Sequence, residues 1–169
     1  MIKKTMLFLL CSLIISVSYA QTTSTWENWQ WLLGEWQGEG SGQPGQGGGS
    51  FSFTQELDDH VIIRKSHSEY PGRDNGPIVI HEDLMVVYKN PTGDPSTAIY
   101  FDNEGHTIRY QLKYTDKTIV FTSEKLENTP IFRLSYTLLD SGMVHTKFEM
   151  SRDGENFINY IEGTSKKIK

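Results

Sequence analysis

Arg64 stands in the run VIIRKSHSEY (residues 61–70) and Glu82 in HEDLMVVY (residues 81–88), each a charge within a stretch otherwise suited to burial. Read with the two-residue period of a strand, 61–70 turns Ile62, Arg64, Ser66, Ser68 and Tyr70 to one face, or Val61, Ile63, Lys65, His67 and Glu69 to the other. A cation enters with either register. Residues 81–88 offer Glu82, Leu84, Val86 and Tyr88, or His81, Asp83, Met85 and Val87, so an acid enters as well. Ions out of contact with water must be satisfied, so the interior is expected to hold a polar network or a wet cavity. The preferred cluster is Arg64, Glu82, Tyr110 and Tyr136, with His67 taking part in the alternate register. A guanidinium grips a carboxylate or similar anion with two parallel hydrogen bonds, phenols donate to the same group, and aliphatic neighbours hold a tail. The plain structural explanation is an Arg–Glu pair that satisfies only itself, or long charged side chains that reach solvent at strand ends.

Other constellations carry less chemistry. His81, Glu82 and Asp83 are adjacent, but alternation sends Glu82 away from the other two, and two ligands do not close a metal site. No metal is expected. Asp102 and Glu104 bracket a hairpin turn and lack the remaining positions of a calcium loop. There is no H-E-x-x-H and no G-x-S-x-G, and the only cysteine, Cys11, lies in a segment expected to be removed. No catalytic residue is assigned, and the balance is against an enzyme. Gly40, Gly42 and Gly45 satisfy G-x-G-x-x-G, but a dinucleotide site needs a helix to begin there, and Pro44, more glycines and Ser50-Phe51-Ser52-Phe53 follow instead. That stretch is expected to be a strand, a flexible connection and a second strand.

Met1 to Ala20 combines Lys3 and Lys4 with an apolar run from Met6 to Val17 and small residues at Ser18 and Ala20, the pattern of a secretory signal peptide cut before Gln21. The run falls short of the ~20 apolar residues of a spanning helix. Residues 21–169 are expected to form one domain, periplasmic or extracellular, without membrane insertion. Loss of Lys3 and Lys4 leaves 14 Lys and Arg against 21 Asp and Glu, a formal charge of −7. Nucleic acid and anionic lipid are poor partners for such a surface.

The elements that must position these side chains are strands. In HTIRYQLKY (106–114), His106, Ile108, Tyr110, Leu112 and Tyr114 alternate with polar residues, and the pattern returns in FRLSYTL (132–138) and in VHTKFEM (144–150), where Val144, Thr146, Phe148 and Met150 share a face. Turn residues separate them at 102–105, 115–116, 140–142 and 151–154. About ten strands are predicted, at 34–40, 49–57, 60–69, 79–89, 96–102, 106–115, 117–124, 130–140, 143–151 and 156–165, spaced as in sandwiches and barrels. Thr25 to Leu33 is the exception. There Thr25 would cap a short helix whose Trp26, Trp29, Leu32 and Leu33 recur at helical spacing and plug one barrel end. The predicted fold is all-β, a single antiparallel up-and-down β-barrel with a short N-terminal helix.

LLGEWQGEGSG (32–42) resembles the G-x-W-x-G opening of calycin, lipocalin-like barrels, and more particularly that of the nitrobindin-like barrels. HEDLMVVY, AIYFDNEGHTIRY and FEMSRDGENFINYIEG are similar to stretches of heme-binding-barrel and DUF1579-type uncharacterised families. The resemblance implies a barrel in which Gly34, Trp36 and Gly38 are structural, with the Trp closing the base. It also implies a haem held by a histidine near the C-terminus, yet no histidine follows Phe148. His106, on the apolar face of its strand, is the substitute if haem is bound. The function expected is binding of a small, largely apolar or amphipathic and anionic molecule inside an exported barrel, without a cofactor. The alternatives are a haem-dependent nitrobindin-like enzyme and a protein-interaction module that uses the glycine-rich stretch as its contact surface.

Overall fold

The period-two stretches form strands within two residues of their predicted bounds. In the computed structural model, which describes residues 26–40, 48–72 and 76–169, these are β1 (Gly34–Gly38), β2 (Ser50–Glu56), β3 (Val61–Tyr70), β4 (Val79–Tyr88), β5 (Thr97–Asp102), β6 (Thr107–Thr115), β7 (Thr118–Ser123), β8 (Ile131–Leu138), β9 (Val144–Ser151) and β10 (Ile158–Lys167). The segment expected to be a signal peptide and the middle of the glycine-rich stretch lie outside the described residues. Each strand pairs antiparallel with its neighbours in sequence, and β1 pairs with β10 to close a ten-stranded up-and-down barrel. Closure leaves no sheet edge unpaired. Among the described residues no helix is long and apolar enough to cross a membrane.

One end of the barrel is sealed by the chain that precedes β1. Here the expected helix is not formed: Glu27–Trp29 makes a single 3-10 turn, and no side chain caps it. Thr25, the expected cap, lies outside the described residues. A segment this short has little helical stability of its own, and its bulky side chains are anchored individually instead. Trp26 donates through Nε1 to the Asp59 carbonyl at 2.6 Å, Trp29 to the Tyr114 hydroxyl at 3.0 Å, and Trp36 of β1 back to the Leu32 carbonyl at 2.8 Å. Trp26, Trp29 and Leu32 are all buried. The plug that the spacing predicts is therefore present, built from turns.

The first strand begins where only glycine fits. Gly34 has φ +115°, and a Cβ there would lie 2.3 Å from the Lys169 carbonyl oxygen. That oxygen accepts a 2.9 Å bond from Glu35 N, which locks the chain's end to the start of β1. Trp36 stacks on Phe51 of β2 with centroids 6.2 Å apart. Above the plug the middle of the barrel is filled by rings. Tyr136 meets Phe51, Phe53 and Phe121 at centroid distances of 5.5, 5.2 and 6.0 Å. These contacts join β2 to β7 and β8 across the interior, so the polar groups above them rest on an aromatic floor.

Candidate functional site

Both faces of β3 are apolar near its start, so hydrophobicity alone does not choose a register. Charge does. Turning Lys65 inward would bring His67 and Glu69 with it, whereas turning Arg64 inward brings Ile62, Ser66 and Ser68. Arg64 is buried, and β4 answers with its odd-numbered face, because Ser66 is paired with Asp83 and Arg64 with Met85. The Arg64 Nη1 donates to Asp83 Oδ1, and the two side chains are 9% and 6% exposed. Burial opposes the guanidinium charge, but Tyr136, Asp83 and Tyr100 around it raise its pKa, so Arg64 stays a cation.

Glu82 and His67 are therefore not beside Arg64. They face one another on the outside of the wall, His67 Nδ1 3.2 Å from Glu82 Oε1, with Glu69 on the other ring nitrogen at 3.2 Å. The acid partner of Arg64 is Asp83, one residue from the expected Glu82. The correction follows from the two-residue period: once Met85 and Val87 are committed to the core, Glu82 must face out.

Asp83 opens a line of polar groups that climbs β4 and β5 toward the end opposite the plug. Its Oδ2 lies 3.6 Å from His81 Nε2. That nitrogen is also 3.2 Å from the Tyr100 hydroxyl, which donates to Asp102 Oδ2 at 3.2 Å. Asp102 Oδ2 is 2.8 Å from His106 Nδ1, and its Oδ1 accepts from the backbone of Glu104 and His106 in the turn. His81 Nδ1 faces Glu104 Oε1 at 3.2 Å. The hydrogen-bonding Asp83 carboxylate outweighs partial burial and pushes the His81 pKa up to about 8. Burial pushes the Tyr100 and Tyr110 phenols up, and Tyr136 up to about 12, so all three are neutral donors at physiological pH.

Among the described residues, three buried polar atoms make no well-formed hydrogen bond: Arg64 Nε, the Tyr136 hydroxyl and Thr146 Oγ1, although the Arg64 guanidinium and the Tyr136 hydroxyl lie close enough to act on one another. They are neighbours. Thr146 of β9 is the cross-strand partner of Tyr136, and the Arg64 guanidinium carbon lies 6.0 Å from the Tyr136 ring centre. A buried polar group left unsatisfied costs about 1–3 kcal/mol; the Arg64–Tyr136 contact offsets part of that cost, and nothing offsets it at Thr146 Oγ1. Tyr110, 2% exposed, packs edge-on to Phe121 and within the field of Arg64. Of the expected cluster, Arg64, Tyr110 and Tyr136 are brought together. Thr146 was not singled out, although it is the one hydroxyl among Val144, Phe148 and Met150 on an otherwise apolar face.

Above the three orphans the inward faces divide by character. Ser66, His81, Asp83, Tyr100 and Asp102 give β3, β4 and β5 a polar arc. Ile108, Phe132, Leu134 and Phe148 give β6, β8 and β9 an apolar one, with Phe132 stacked on Phe148 at 5.7 Å. His106 keeps its inward parity but sits at the rim, its side chain 63% exposed and turned onto Asp102. It does not fit an interior haem ligand, and the ring-filled middle of the barrel offers no other imidazole. Among the described residues no cluster of His, Cys, Asp and Glu is placed to hold a metal. An open hollow of about 340 Å³ lies over β3, β4 and β5, lined by Lys65, Glu82, Leu84 and Phe101 together with Ser66, Asp83 and Asp102 of the polar arc. Gly34, Trp36 and Gly38 stand at the closure described above, away from the orphaned donors. No family model matches the chain, and no curated protein matches it.

Proposed function

We propose that the barrel binds a small, largely apolar molecule through an anionic head group, a carboxylate in the first instance, seated against Arg64 Nε, the Tyr136 hydroxyl and Thr146 Oγ1. The gathering of Arg64, Tyr136 and Thr146, whose Nε, hydroxyl and Oγ1 make no well-formed hydrogen bond, carries this reading. A carboxylate offers two oxygens with about four acceptor sites, enough for all three donors. Asp83 occupies Arg64 Nη1, whereas the enclosed Nε makes no well-formed hydrogen bond and is the donor this reading gives to a ligand. The divided lining above suits an amphipathic body, the apolar arc holding its hydrocarbon and the polar arc accepting a further hydroxyl or amide. The same reading takes the protein as an exported calycin-like carrier, supported by the Met1 to Ala20 pattern and the Gly34-x-Trp36-x-Gly38 opening. It assigns no bond-making group: Asp83 is paired with Arg64, and burial keeps Tyr110 and Tyr136 protonated.

Thr146→Val separates a binding role from a structural one. The substitution removes an orphaned hydroxyl at nearly constant volume, so as a purely structural change it should leave stability equal or raise it by about 1 kcal/mol. If the hydroxyl contacts the head group, decanoate measured by calorimetry should bind severalfold more weakly to the variant while decanol is unaffected. Equal decanoate affinity in the two proteins would take Thr146 out of the site, and no decanoate binding to either would remove the carboxylate head group.

A further inference from the structure

We propose, building on that binding site, that His81 sets its affinity for anions by sharing Asp83 with Arg64. The Asp83 carboxylate has two oxygens and two cations: Oδ1 accepts from Arg64 Nη1, and Oδ2 lies 3.6 Å from His81 Nε2. With His81 protonated, one buried carboxylate is divided between two positive groups and the guanidinium keeps an excess of charge toward the orphaned Nε. With His81 neutral, the whole carboxylate charge falls on Arg64, and the pair presents no net charge to an incoming anion.

The groups around His81 make this a switch at one residue. From its own strand only Asp83 faces it. From β5 come Tyr100, whose hydroxyl touches the same Nε2 at 3.2 Å, and Asp102, which is saturated by the His106 ring and two backbone amides. The turn after β5 contributes Glu104, 3.2 Å from Nδ1, and His106 beyond it. From β3 the cross-strand partner is Ser68, uncharged, with Arg64 reached only through Asp83. Asp102 is held below the usual carboxylate range, because hydrogen bonds from His106 outweigh its burial, so its charge is constant where His81 titrates. The Tyr100 pKa is raised, by burial first, and it too keeps its proton. The position of Asp83 raises the His81 pKa to about 8. Anion affinity is thus high below that value and falls as pH rises through it.

Anilinonaphthalene sulfonate, an anion at every pH used, and phenylnaphthylamine, a neutral molecule of similar shape, are suitable fluorescent probes. In the mature chain the Kd of the sulfonate should rise on the order of tenfold between about pH 6 and about pH 9.5, the effect of one buried unit charge at short range, while that of the neutral probe stays flat. His81→Gln should make the sulfonate profile flat at its alkaline value, and His106→Gln should keep the wild-type profile. Linkage gives a second readout that needs no variant: saturation with the sulfonate should raise the His81 pKa, followed through its imidazole NMR signals, by about one unit. An unchanged pH profile in His81→Gln, or a His81 titration indifferent to the probe, overturns the proposal while Arg64-dependent binding leaves the site itself standing. Sulfonate binding that is absent, or that survives Arg64→Met at full strength, overturns the site and this proposal together.

Discussion

Arg64 is held inside by Asp83, and the pair is better explained by what lies beyond it than by stability. A buried ion pair recovers little more than its desolvation cost, whereas removing one partner alone leaves a bare charge. Arg64→Met should therefore lower the unfolding free energy by about 3–5 kcal/mol, and Arg64→Met combined with Asp83→Leu should recover most of the loss in urea titrations. Equal destabilisation by the single and double variants would mean that Asp83 has another partner or reaches water. That a cation and an acid enter the barrel was legible in residues 61–70 and 81–88, because every register buried one of each. Which acid it is was not legible. Val61, Ile63, Leu84 and Val86 are as apolar as the inward set, and the choice depends on Lys65, His67 and Glu69 farther along β3. Thr146 was visible as a lone hydroxyl on an apolar face, but its lack of a partner is a three-dimensional fact.

At the scale of elements, the plug shows how tertiary anchoring replaces intrinsic propensity. The recurrence of Trp26, Trp29 and Leu32 marked them as one buried group, and they are one. Their period also suggested a helix, which the structure reduces to a 3-10 turn: Trp26 and Trp29 are each tied by an indole hydrogen bond to a different part of the barrel, and Trp36 of β1 ties down the Leu32 carbonyl. Trp29 is the keystone: it touches Phe53, Tyr114 and Phe121, which stand on three strands. Trp29→Ala should cost about 3–5 kcal/mol in chemical denaturation, the range for deleting a large buried aromatic. A loss below about 1 kcal/mol would mean that the barrel end closes without it. Strands were more readable than the plug because most of them alternate over six or more residues between turn signals; the register shift at Asn159 to Ile161 in β10 interrupts that period.

The whole molecule gives an anion no long-range help. The formal charge of the full chain is −5, so a carboxylate is repelled at a distance and recognition must be built at short range, inside the wall. Closure of β1 on β10 provides the rigidity this requires, since donors carried on β3, β8 and β9 hold their spacing only while the ring is complete. The most direct measurement of the proposed binding site is the Arg64 Nε–H resonance in a nitrogen–proton NMR spectrum of residues 21–169, followed as decanoate is added. Binding through the orphaned donors predicts that this signal and the Thr146 amide move together to saturation while His67 and Lys65, on the outer face, stay still. A stationary Arg64 signal in a sample that has taken up decanoate would contradict it, and would return the Arg64–Asp83 pair to a purely structural role.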